Sequence, residues 1–257
     1  MIYITGDTHG YHDFAKMLSN NLCELTRDDY VIIAEDCGVL FHDNDTVTLN
    51  LYKLLPYTVL FVDGNHENFD LLFSYPVEKW HGGTVHRIAD NIIHLMRGQI
   101  YEIEGHSFFT FGGAFSYDKE RRIEGISWWR QEMPSIEEYN EAVINLTKEG
   151  NKVDFIITHD CPSAFYHSVG KSAKILSEGF RPQTINTMLD DILKVTVFKH
   201  WFFAHYHIDN TQQKEYSVLF NRVIAIIDNN FGEYYDGASV FEKYSQKEGS
   251  LHNSDLK

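Results

Sequence analysis

The chain has 257 residues, of which 43% are hydrophobic and 23% are charged, and this composition predicts a globular fold with a sizeable core. Its 37 acidic and 22 basic side chains give a formal net charge of -15, which argues against a broad nucleic-acid surface and against an anionic membrane surface. An anionic substrate is still compatible with this charge, because bound divalent cations would reverse the field locally.

Apolar runs and helical patterns alternate over the first third of the chain. The predicted strands there are 1–5, 30–34 and 58–62. The predicted helices there are 13–22, 46–55 and 68–75. Each apolar run has the length of a buried strand, and the alternation predicts an α/β fold with a largely parallel sheet.

The middle of the chain changes character, because short strand-like pieces follow one another directly. These predicted strands are 92–95, 99–104 and 107–111. A hairpin turn is expected at Gly105 and His106. Residues 114–134 carry mixed charge, glycine and a tryptophan pair, and they predict a long ordered loop.

The last part of the chain returns to alternating patterns. Ser135 followed by Glu138 is a capping-box pattern, which predicts a helix that ends at about residue 148. The predicted strands that follow are 153–158, 200–203, 216–219 and 223–227. A helix is predicted at 183–193, and a turn is predicted at 221–222.

The chain is predicted to form a single domain over 1–244, followed by a polar C-terminal tail over 245–257 that frays. Its three cysteines form no CxxC pair, so no disulfide framework is expected and a reducing compartment fits best. No signal-peptide pattern and no apolar run long enough to cross a bilayer are present, and a cytoplasmic protein without a membrane partner is therefore expected.

Chemically similar side chains directly follow five of the predicted strands. They are Asp7 and His9, Asp36, Asn65 and His66, His159, and His205 and His207. Because the C-terminal ends of parallel strands line one crevice, these side chains are expected to converge although they span about two hundred positions. Imidazole, carboxylate and amide oxygen suit Mn, Fe or Zn. There are too many groups for one ion, so the pattern predicts two ions that share a carboxylate.

In this order, the residues resemble the motif set of the calcineurin-like metallophosphoesterase family. The motifs read Gly6-Asp7-Thr8-His9-Gly10, Glu35-Asp36-Cys37-Gly38, Gly64-Asn65-His66-Glu67, Thr158-His159 and His205-Tyr206-His207. They span most of the chain, and the ordered set is specific although each motif alone is weak. The resemblance implies a four-layer sandwich of two mixed β-sheets flanked by helices.

Carried over by position, the resemblance also implies a role for each residue. The implied ligands are Asp7, His9 and His207 for the first metal ion, Asp36 for both ions, and Asn65, His159 and His205 for the second. The ions are expected to be Mn²⁺, with Fe or Zn as alternatives. His66 would be the catalytic histidine that is not a ligand, and both His66 and Asn65 would contact the substrate phosphate.

Two residues depart from the family pattern. Glu35 replaces the glycine before the bridging Asp36, and Ala204 replaces the glycine before the histidine pair. Both departures are expected to affect the reaction rate more than metal binding, because neither removes a ligand. The arginine-bearing extension of protein phosphatases is absent after Gly38, which lowers the expectation of a phosphoprotein substrate.

The loop at 114–134 is the expected location of substrate specificity. Arg121 and Arg122 are candidates for binding substrate phosphate, because arginine makes bidentate contacts with anions. A solvated charge run is the alternative. Trp128 and Trp129 are expected either to stack on a base or sugar or to bury the loop on the core.

The expected activity is hydrolysis of phosphate mono- or diesters through attack of a hydroxide that bridges the two ions. His66 would protonate the departing oxygen, and Glu67 and Asp160 are candidates to orient it. A nuclease is one alternative, although the acidic composition makes a nucleic-acid partner unexpected. A metal-binding regulatory or interaction protein with weak or lost catalysis is the other, and Glu35 alone supports it.

Overall fold

The computed structural model describes residues 1–34, 36–41, 46–169, 183–211, 214–227 and 230–236 of the chain. Its strands are β1 (Ile2–Thr5), β2 (Tyr30–Ile33), β3 (Thr58–Phe61), β4 (Val77–Trp80), β5 (Gly83–Ala89), β6 (Ile92–Leu95), β7 (Gln99–Ile103), β8 (His106–Phe111), β9 (Phe155–Thr158), β10 (His200–Phe203), β11 (Tyr216–Val218), β12 (Arg222–Ile227) and β13 (Asn230–Asp236). Its α-helices are α1 (Asn20–Cys23), α2 (Thr46–Lys53), α3 (Phe69–Leu72), α4 (Ile136–Lys148), α5 (Tyr166–Val169) and α6 (Thr184–Val195).

The described strands form two mixed sheets. The eight-stranded sheet has the order β13-β12-β1-β2-β3-β6-β5-β4, and the five-stranded sheet has the order β11-β10-β9-β8-β7. In the first sheet β1, β2, β3 and β6 run parallel, and in the second β8, β9, β10 and β11 run parallel. Each sheet therefore presents the C-terminal ends of several parallel strands at one edge, which is where sites are built in such folds.

The packing of strand β3 explains why positions 59–61 are all apolar. Val59 and Phe61 pack in the apolar cluster on the outer face of the eight-stranded sheet, whereas Leu60 packs in the cluster between the two sheets. Alternate side chains of a strand point to opposite faces, so a strand covered on both faces needs apolar residues at every position. Full burial of each such side chain stabilises the fold by about 1.5–3 kcal/mol.

Three apolar clusters among the described residues define four layers. The middle cluster contains inward-facing residues of both sheets, such as Ile4 and Phe202. The outer cluster of the eight-stranded sheet includes Tyr52 of α2, and that of the five-stranded sheet includes Leu146 of α4 and Leu189 of α6. The helix–sheet–sheet–helix sandwich that the resemblance implied is confirmed.

Several local predictions were wrong. The helix predicted at 13–22 is a 3-10 turn (Phe14–Leu18) followed by α1, because Ser19 takes an extended conformation with ψ 147° between them. The turn expected at Gly105 and His106 lies one residue earlier, since Glu104 and Gly105 have positive φ and His106 begins β8. The β4–β5 hairpin was missed, because β4 is an edge strand whose side chains are half-buried or exposed. The predicted tail at 245–257 lies outside the described residues.

The turn at 221–222 is where the chain changes sheets. Strand β11 pairs in parallel with β10, whereas β12 pairs antiparallel with β1 of the other sheet. The crossing passes directly against Gly6, where an added Cβ would collide with the Leu219 carbonyl group. Glycine at this position therefore allows the close approach of the two chain segments.

The capping box predicted for α4 is present. Glu138 N donates to Ser135 Oγ at 3.1 Å, and Ser135 N donates to a Glu138 carboxylate oxygen at 2.7 Å. Both bonds satisfy N–H groups that the first helical turn leaves without partners. The Glu138 carboxylate also lies 3.2 Å from Arg97 Nη1, which links the helix to a buried ionic network. No α-helix in the described ranges combines the length and the apolarity that crossing a bilayer requires.

The buried network centres on Asp63, which precedes the Gly64–Asn65–His66 segment. Its carboxylate accepts hydrogen bonds from Arg97 at 2.6 and 2.9 Å, and one oxygen lies 3.0 Å from His94 Nε2. Burial alone would raise the pKa of Asp63, but Arg97 and His94 hold it well below its ordinary value. Its backbone carbonyl accepts from Gly113 N at 2.8 Å. Asp63 thus joins the loop after β3 to the loop after β8.

Replacing Asp63 by asparagine is expected to lower the free energy of unfolding by about 3–5 kcal/mol, because the substitution leaves the buried Arg97 charge without its main partner. Urea denaturation at pH 7 would measure the loss, with Asp191→Asn as the control because Asp191 and Lys194 form an exposed pair. Since the folded-state pKa of Asp63 is depressed, the difference should be complete above about pH 4 and shrink below it. A loss under about 1 kcal/mol would contradict this expectation.

Candidate metal centre

The candidate residues lie at adjoining strand ends of the two sheets. Those after β1, β2 and β3 are Asp7, His9, Asp36, Asn65 and His66, and those after β9 and β10 are His159, His205 and His207. Backbone hydrogen bonds fix these loops to one another. His9 N donates to Asp36 O at 2.9 Å, and Ala204 N donates to His159 O at 3.1 Å. The site is therefore built between two sheets rather than along the edge of one.

Asp7, His9 and His207 form one compact group. Each offers a ligand atom, and these atoms lie within 4.8 Å of one another. The Asp7 carboxylate is fully buried, with Oδ2 at 3.0 Å from His207 Nε2. Its Oδ1 has no hydrogen-bond partner among the described residues. A buried carboxylate oxygen without a donor is costly, and a divalent cation would remove that cost.

A carboxylate outside this group orients His9. Asp13 Oδ2 lies 2.9 Å from His9 Nδ1, and His9 Nε2 lies 3.9 Å from Asp36 Oδ2. With Nδ1 occupied by Asp13, the Nε2 atom is the one that faces the site. Histidines that bind metals commonly donate their second ring nitrogen to a carboxylate in this way, which fixes both the tautomer and the ring orientation.

Asn65, His159 and His205 form the adjoining group, and Asp36 lies between the two groups. Asn65 Oδ1 is 2.9 Å from His159 Nε2, and the ring centroids of His159 and His205 are 4.7 Å apart. The Asn65 amide nitrogen donates to Ser116 Oγ at 3.0 Å, and this bond directs the amide oxygen toward His159. The oxygen is thereby placed where a hard cation could bind it.

Gly64 allows Asp36 to approach this second group. A Cβ atom added at Gly64 would collide with Asp36 Oδ1 and would lie 2.8 Å from His159 Cε1. The same Asp36 oxygen accepts the backbone N–H of His66 at 2.7 Å. Any side chain at position 64 would therefore push the carboxylate away from the position that joins the two groups.

Three of the candidate ligands have unfavourable backbone conformations. His9, His205 and His207 have φ values of 42°, 65° and 52°, a left-handed region that residues other than glycine rarely adopt. Such conformations cost about 1–3 kcal/mol each and persist where the surrounding structure enforces them, often at functional sites. Their concentration at these histidines indicates a site whose geometry is imposed by the fold.

The protonation states suit metal ions. Burial would raise the pKa of Asp36, but the neighbouring imidazoles, foremost His66, and the His66 backbone N–H lower it to about 2. Burial lowers the pKa of His159 far below its ordinary value, so His159 is the neutral imidazole that a metal requires. Burial raises the pKa of Asp7, and the nearby Asp36 carboxylate adds to the effect. Two cations would allow both carboxylates to stay ionised, and the donor set fits them.

The structure describes one of the two residues that depart from the family pattern. Glu35 lies outside the described residues. Ala204 is fully buried in the cluster between the sheets, and its N–H donates to His159 O. Its methyl group is therefore accommodated without disturbing the hydrogen bond that joins the loops after β9 and β10.

His66 lies beside the candidate ligands, and an arginine contacts its ring. His66 Nδ1 is 2.9 Å from Arg122 Nη1. The two carboxylates named as candidates to orient His66 are engaged elsewhere. Glu67 accepts a backbone N–H of the loop after β2 at 2.9 Å, and Asp160 accepts a tyrosine hydroxyl at 2.6 Å. No local pattern indicates Arg122 in this role, because it lies 56 positions from His66 in the chain.

Two clefts meet at Asp36 and His66. The first, of about 350 Å³, is lined in part by the aromatic residues Tyr11, His12 and Phe41. Tyr11 and His12 stack with ring centroids 4.3 Å apart and an interplanar angle of 30°. The second cleft, of about 460 Å³, is lined in part by polar loop residues such as Ser116 and Asp118. Sequence reasoning missed the aromatic cleft, since nothing in the pattern places Phe41 near Tyr11.

The loop at 114–134 lines the second cleft, as its predicted role requires. Arg121 is exposed and faces this cleft, whereas the Arg122 guanidinium is occupied by other residues. Trp129 is buried, and its Nε1 donates to a carboxylate of α3 at 2.9 Å, so it packs the loop on the core. Lys119 Nζ lies 5.5 Å from the Trp128 ring centroid, so that indole carries a cation on its face.

Lys16 holds the loop after β1 in place, a role that was not predicted. Its Nζ donates to the carbonyl oxygens of Gly6 at 3.0 Å, Asp7, and Phe220. Burial lowers the pKa of Lys16 to about 8, although Asp7 and Asp13 oppose the shift. The ammonium group thereby ties the loop that carries Asp7 to the segment where the chain changes sheets.

The chain matches known proteins by sequence. The profile of the family described as calcineurin-like phosphoesterase matches residues 1–209. The lariat debranching enzymes of Danio rerio, Schizosaccharomyces pombe and Homo sapiens are each 26% identical to it, over 165, 162 and 165 residues. These matches cover 61%, 59% and 61% of this chain but 28%, 33% and 29% of those proteins. The chain thus spans about three tenths of the length of these curated relatives.

Among solved structures, the chain has a partial similarity to the 5'-nucleotidase from Candida albicans SC5314. Its TM-score is 0.49 and its sequence identity is 15%. The superposition covers 96% of this chain and 52% of that chain.

Proposed function

We infer, because the chain belongs to the calcineurin-like phosphoesterase family, that it is a metal-dependent phosphoric ester hydrolase. The observation that carries this proposal is the convergence of carboxylate, amide and imidazole groups from five strand ends, with His66 beside them. The buried Asp7 oxygen without a donor supports bound cations at this place. This is the function that the geometry supports best.

We propose that Asp7, His9 and His207 hold one divalent ion, and that Asn65, His159 and His205 hold a second. Asp36 faces both groups and would contribute to both ions. The mixed oxygen and nitrogen donors favour Mn²⁺, with Fe or Zn as alternatives. Two such ions, when bound, make hydroxide available near neutral pH and neutralise charge on a phosphoryl group.

The chain's own residues would position the ester. The reacting phosphate is proposed to lie where the two clefts meet, next to Asp36 and His66. His66 would donate a hydrogen bond from its free ring nitrogen to a phosphoryl or departing oxygen, which stabilises the charge that develops there. Arg121 is the proposed contact for a more distant anionic group in the second cleft.

The two clefts favour a phosphodiester over a monoester. A diester carries two substituents on phosphorus, and two clefts adjoin the proposed phosphate position, because Asp36 and His66 line both of them. The cleft formed by Tyr11, His12 and Phe41 suits an aromatic substituent, because rings stack on exposed aromatic side chains. A nuclease is the second candidate, since this cleft would accept a base, and the net charge of -15 counts against an extended nucleic-acid surface.

Hydrolysis of bis-p-nitrophenyl phosphate and p-nitrophenyl phosphate would test the function, with protein stripped of metal and then reloaded with Mn²⁺, Zn²⁺ or Fe²⁺. We expect turnover only after reloading, and faster turnover of the diester. Phenyl p-nitrophenyl phosphate should exceed methyl p-nitrophenyl phosphate by about 3–10-fold in kcat/KM, and Tyr11→Ala should reduce that ratio, because aromatic contacts contribute about 0.5–1.5 kcal/mol.

Phe73→Ala is the matched control for this ratio, because Phe73 is an exposed aromatic residue at the end of α3, outside both clefts. Protein that binds two ions and hydrolyses none of these esters would overturn the proposal and favour the binding-protein alternative. Hydrolysis of single-stranded RNA under the same conditions would decide whether the protein is a nuclease.

We also propose a reducing, cytoplasmic compartment, supported by the free thiols of Cys23, Cys37 and Cys161.

A further inference from the structure

The contact between Arg122 and His66 fixes more than the position of the ring. Arg122 Nη1 lies 2.9 Å from His66 Nδ1. A guanidinium group has only hydrogen-bond donors, so Nδ1 has to be the acceptor. The ring proton of a neutral His66 must then be on Nε2. The contact therefore selects one of the two imidazole tautomers, a choice that commonly determines what a histidine can do.

Arg122 is itself rigidly held. Its Nε and Nη2 atoms donate to the two carboxylate oxygens of Asp118 at 2.9 and 2.8 Å. Its Nη1 also donates to Ser127 O at 3.2 Å. With the contact to His66, these bonds use four of the five N–H groups of a guanidinium. Most donors of the Arg122 guanidinium are thus hydrogen-bonded within the protein. This argues against its predicted role as a direct ligand of substrate phosphate.

The opposite side of the His66 ring is free. Among the described residues, none forms a hydrogen bond with His66 Nε2, and His66 lines both clefts where they meet. Asp118 and Arg122 flank a 3-10 turn (Lys119–Arg121) of the loop at 114–134, so this loop reaches the candidate centre through the contact of Arg122 with His66.

We propose that Arg122, braced by Asp118, is the positioning residue for His66, and that it holds the Nε2–H tautomer with this N–H directed to the place where the two clefts meet. The catalytic consequence rests on the proposed phosphoesterase function. The tautomer itself does not rest on that function, because it can be observed without turnover. Arg122 would act through His66 and not on the ester itself.

Long-range ¹H–¹⁵N NMR spectra of the full chain, free of metal and at about pH 8, where model imidazoles are mostly neutral, would report the tautomer. The His66→Asn spectrum assigns the His66 signals by their absence. We expect the Nε2–H pattern in the wild type, and a shift toward Nδ1–H or a mixture in Arg122→Met. Asp118→Asn weakens the brace without removing the donor and should shift the pattern in the same direction, but less.

Arg130→Met is the matched control, because Arg130 forms a similar pair with Glu124 on the same loop and does not contact His66. We expect this variant to leave the His66 pattern unchanged. An unchanged pattern in both Arg122→Met and Asp118→Asn would overturn the proposal, whether or not the protein hydrolyses any ester.

Kinetics of the Mn²⁺-loaded chain supply the second test. Arg122→Met should lower kcat about 10–100-fold with KM nearly unchanged, because small misplacements of a catalytic group have effects of this size. In the His66→Asn background the same substitution should have almost no further effect, since residues that act as a unit are not additive. A raised KM with unchanged kcat, or an equal loss in both backgrounds, would instead identify Arg122 as a direct substrate contact.

Discussion

Replacing Asp36 by asparagine is expected to lower metal-dependent hydrolysis about 10³-fold or more and to reduce bound metal below two ions per chain. Asp36 is buried between the two candidate groups, with Oδ2 at 3.9 Å from His9 Nε2 and Oδ1 accepting the His66 N–H. A neutral amide lacks the charge that two cations require. Loss of several kcal/mol of transition-state stabilisation corresponds to a rate change of this size. Elemental analysis of bound metal and diester hydrolysis at saturating Mn²⁺ would measure both effects.

The fold should survive this substitution, because the amide oxygen of asparagine can still accept the His66 N–H. Circular dichroism would check it. Asp191→Asn removes the same charge from the exposed surface of α6, where Asp191 pairs with Lys194, and should leave metal content and turnover unchanged. If the Asp36 variant kept two ions and normal turnover, Asp36 would not be shared between them.

Replacing His66 by asparagine is expected to leave two bound ions in place and to lower kcat about 10²–10⁴-fold, the range that general acid–base groups contribute. The ring is held by Arg122 through Nδ1, and its Nε2 is the atom free to face a substrate. Asparagine is too short to place a donor at that position. Turnover of bis-p-nitrophenyl phosphate, with metal content measured on the same samples, would test both parts of the expectation.

His81→Asn is the matched control for this variant. His81 lies in the β4–β5 turn with φ 45°, a conformation that asparagine tolerates well. This turn joins β5 to β4, the edge strand at the opposite end of the eight-stranded sheet from β13. No candidate ligand lies in the turn or in these two strands. Metal loss in the His66 variant would reassign His66 as a ligand, and full activity would remove it from the catalytic mechanism.

The parts of the fold that could be predicted follow from local chemistry. Runs such as 59–61 are apolar at every position because both faces of the strand are covered, and this signal does not depend on distant residues. The start of α4 could be predicted because Ser135 and Glu138 cap their own helix. The grouping of polar residues after five strands was likewise a local signal, and the structure places those residues at adjoining strand ends.

The parts that could not be predicted depend on contacts between distant segments. Arg122 and His66 are 56 positions apart, and nothing in either segment indicates that a guanidinium will meet an imidazole. The sheet change between β11 and β12 is similar, because the short turn at 221–222 looks like an ordinary connection between neighbouring strands. Lys16 gave no signal either, since its three backbone acceptors exist only after the segments have folded together.

The position of β1 has a consequence for the order in which the chain can fold. β1 lies between β2 and β12, and Thr5 donates to a carbonyl oxygen 217 positions away, at Arg222. During synthesis, β1 therefore keeps one open edge until β12, more than two hundred positions later, has been made, and open edges invite association with other chains. A chain cut after residue 209, where the family match ends, would carry every candidate ligand and still leave that edge unpaired.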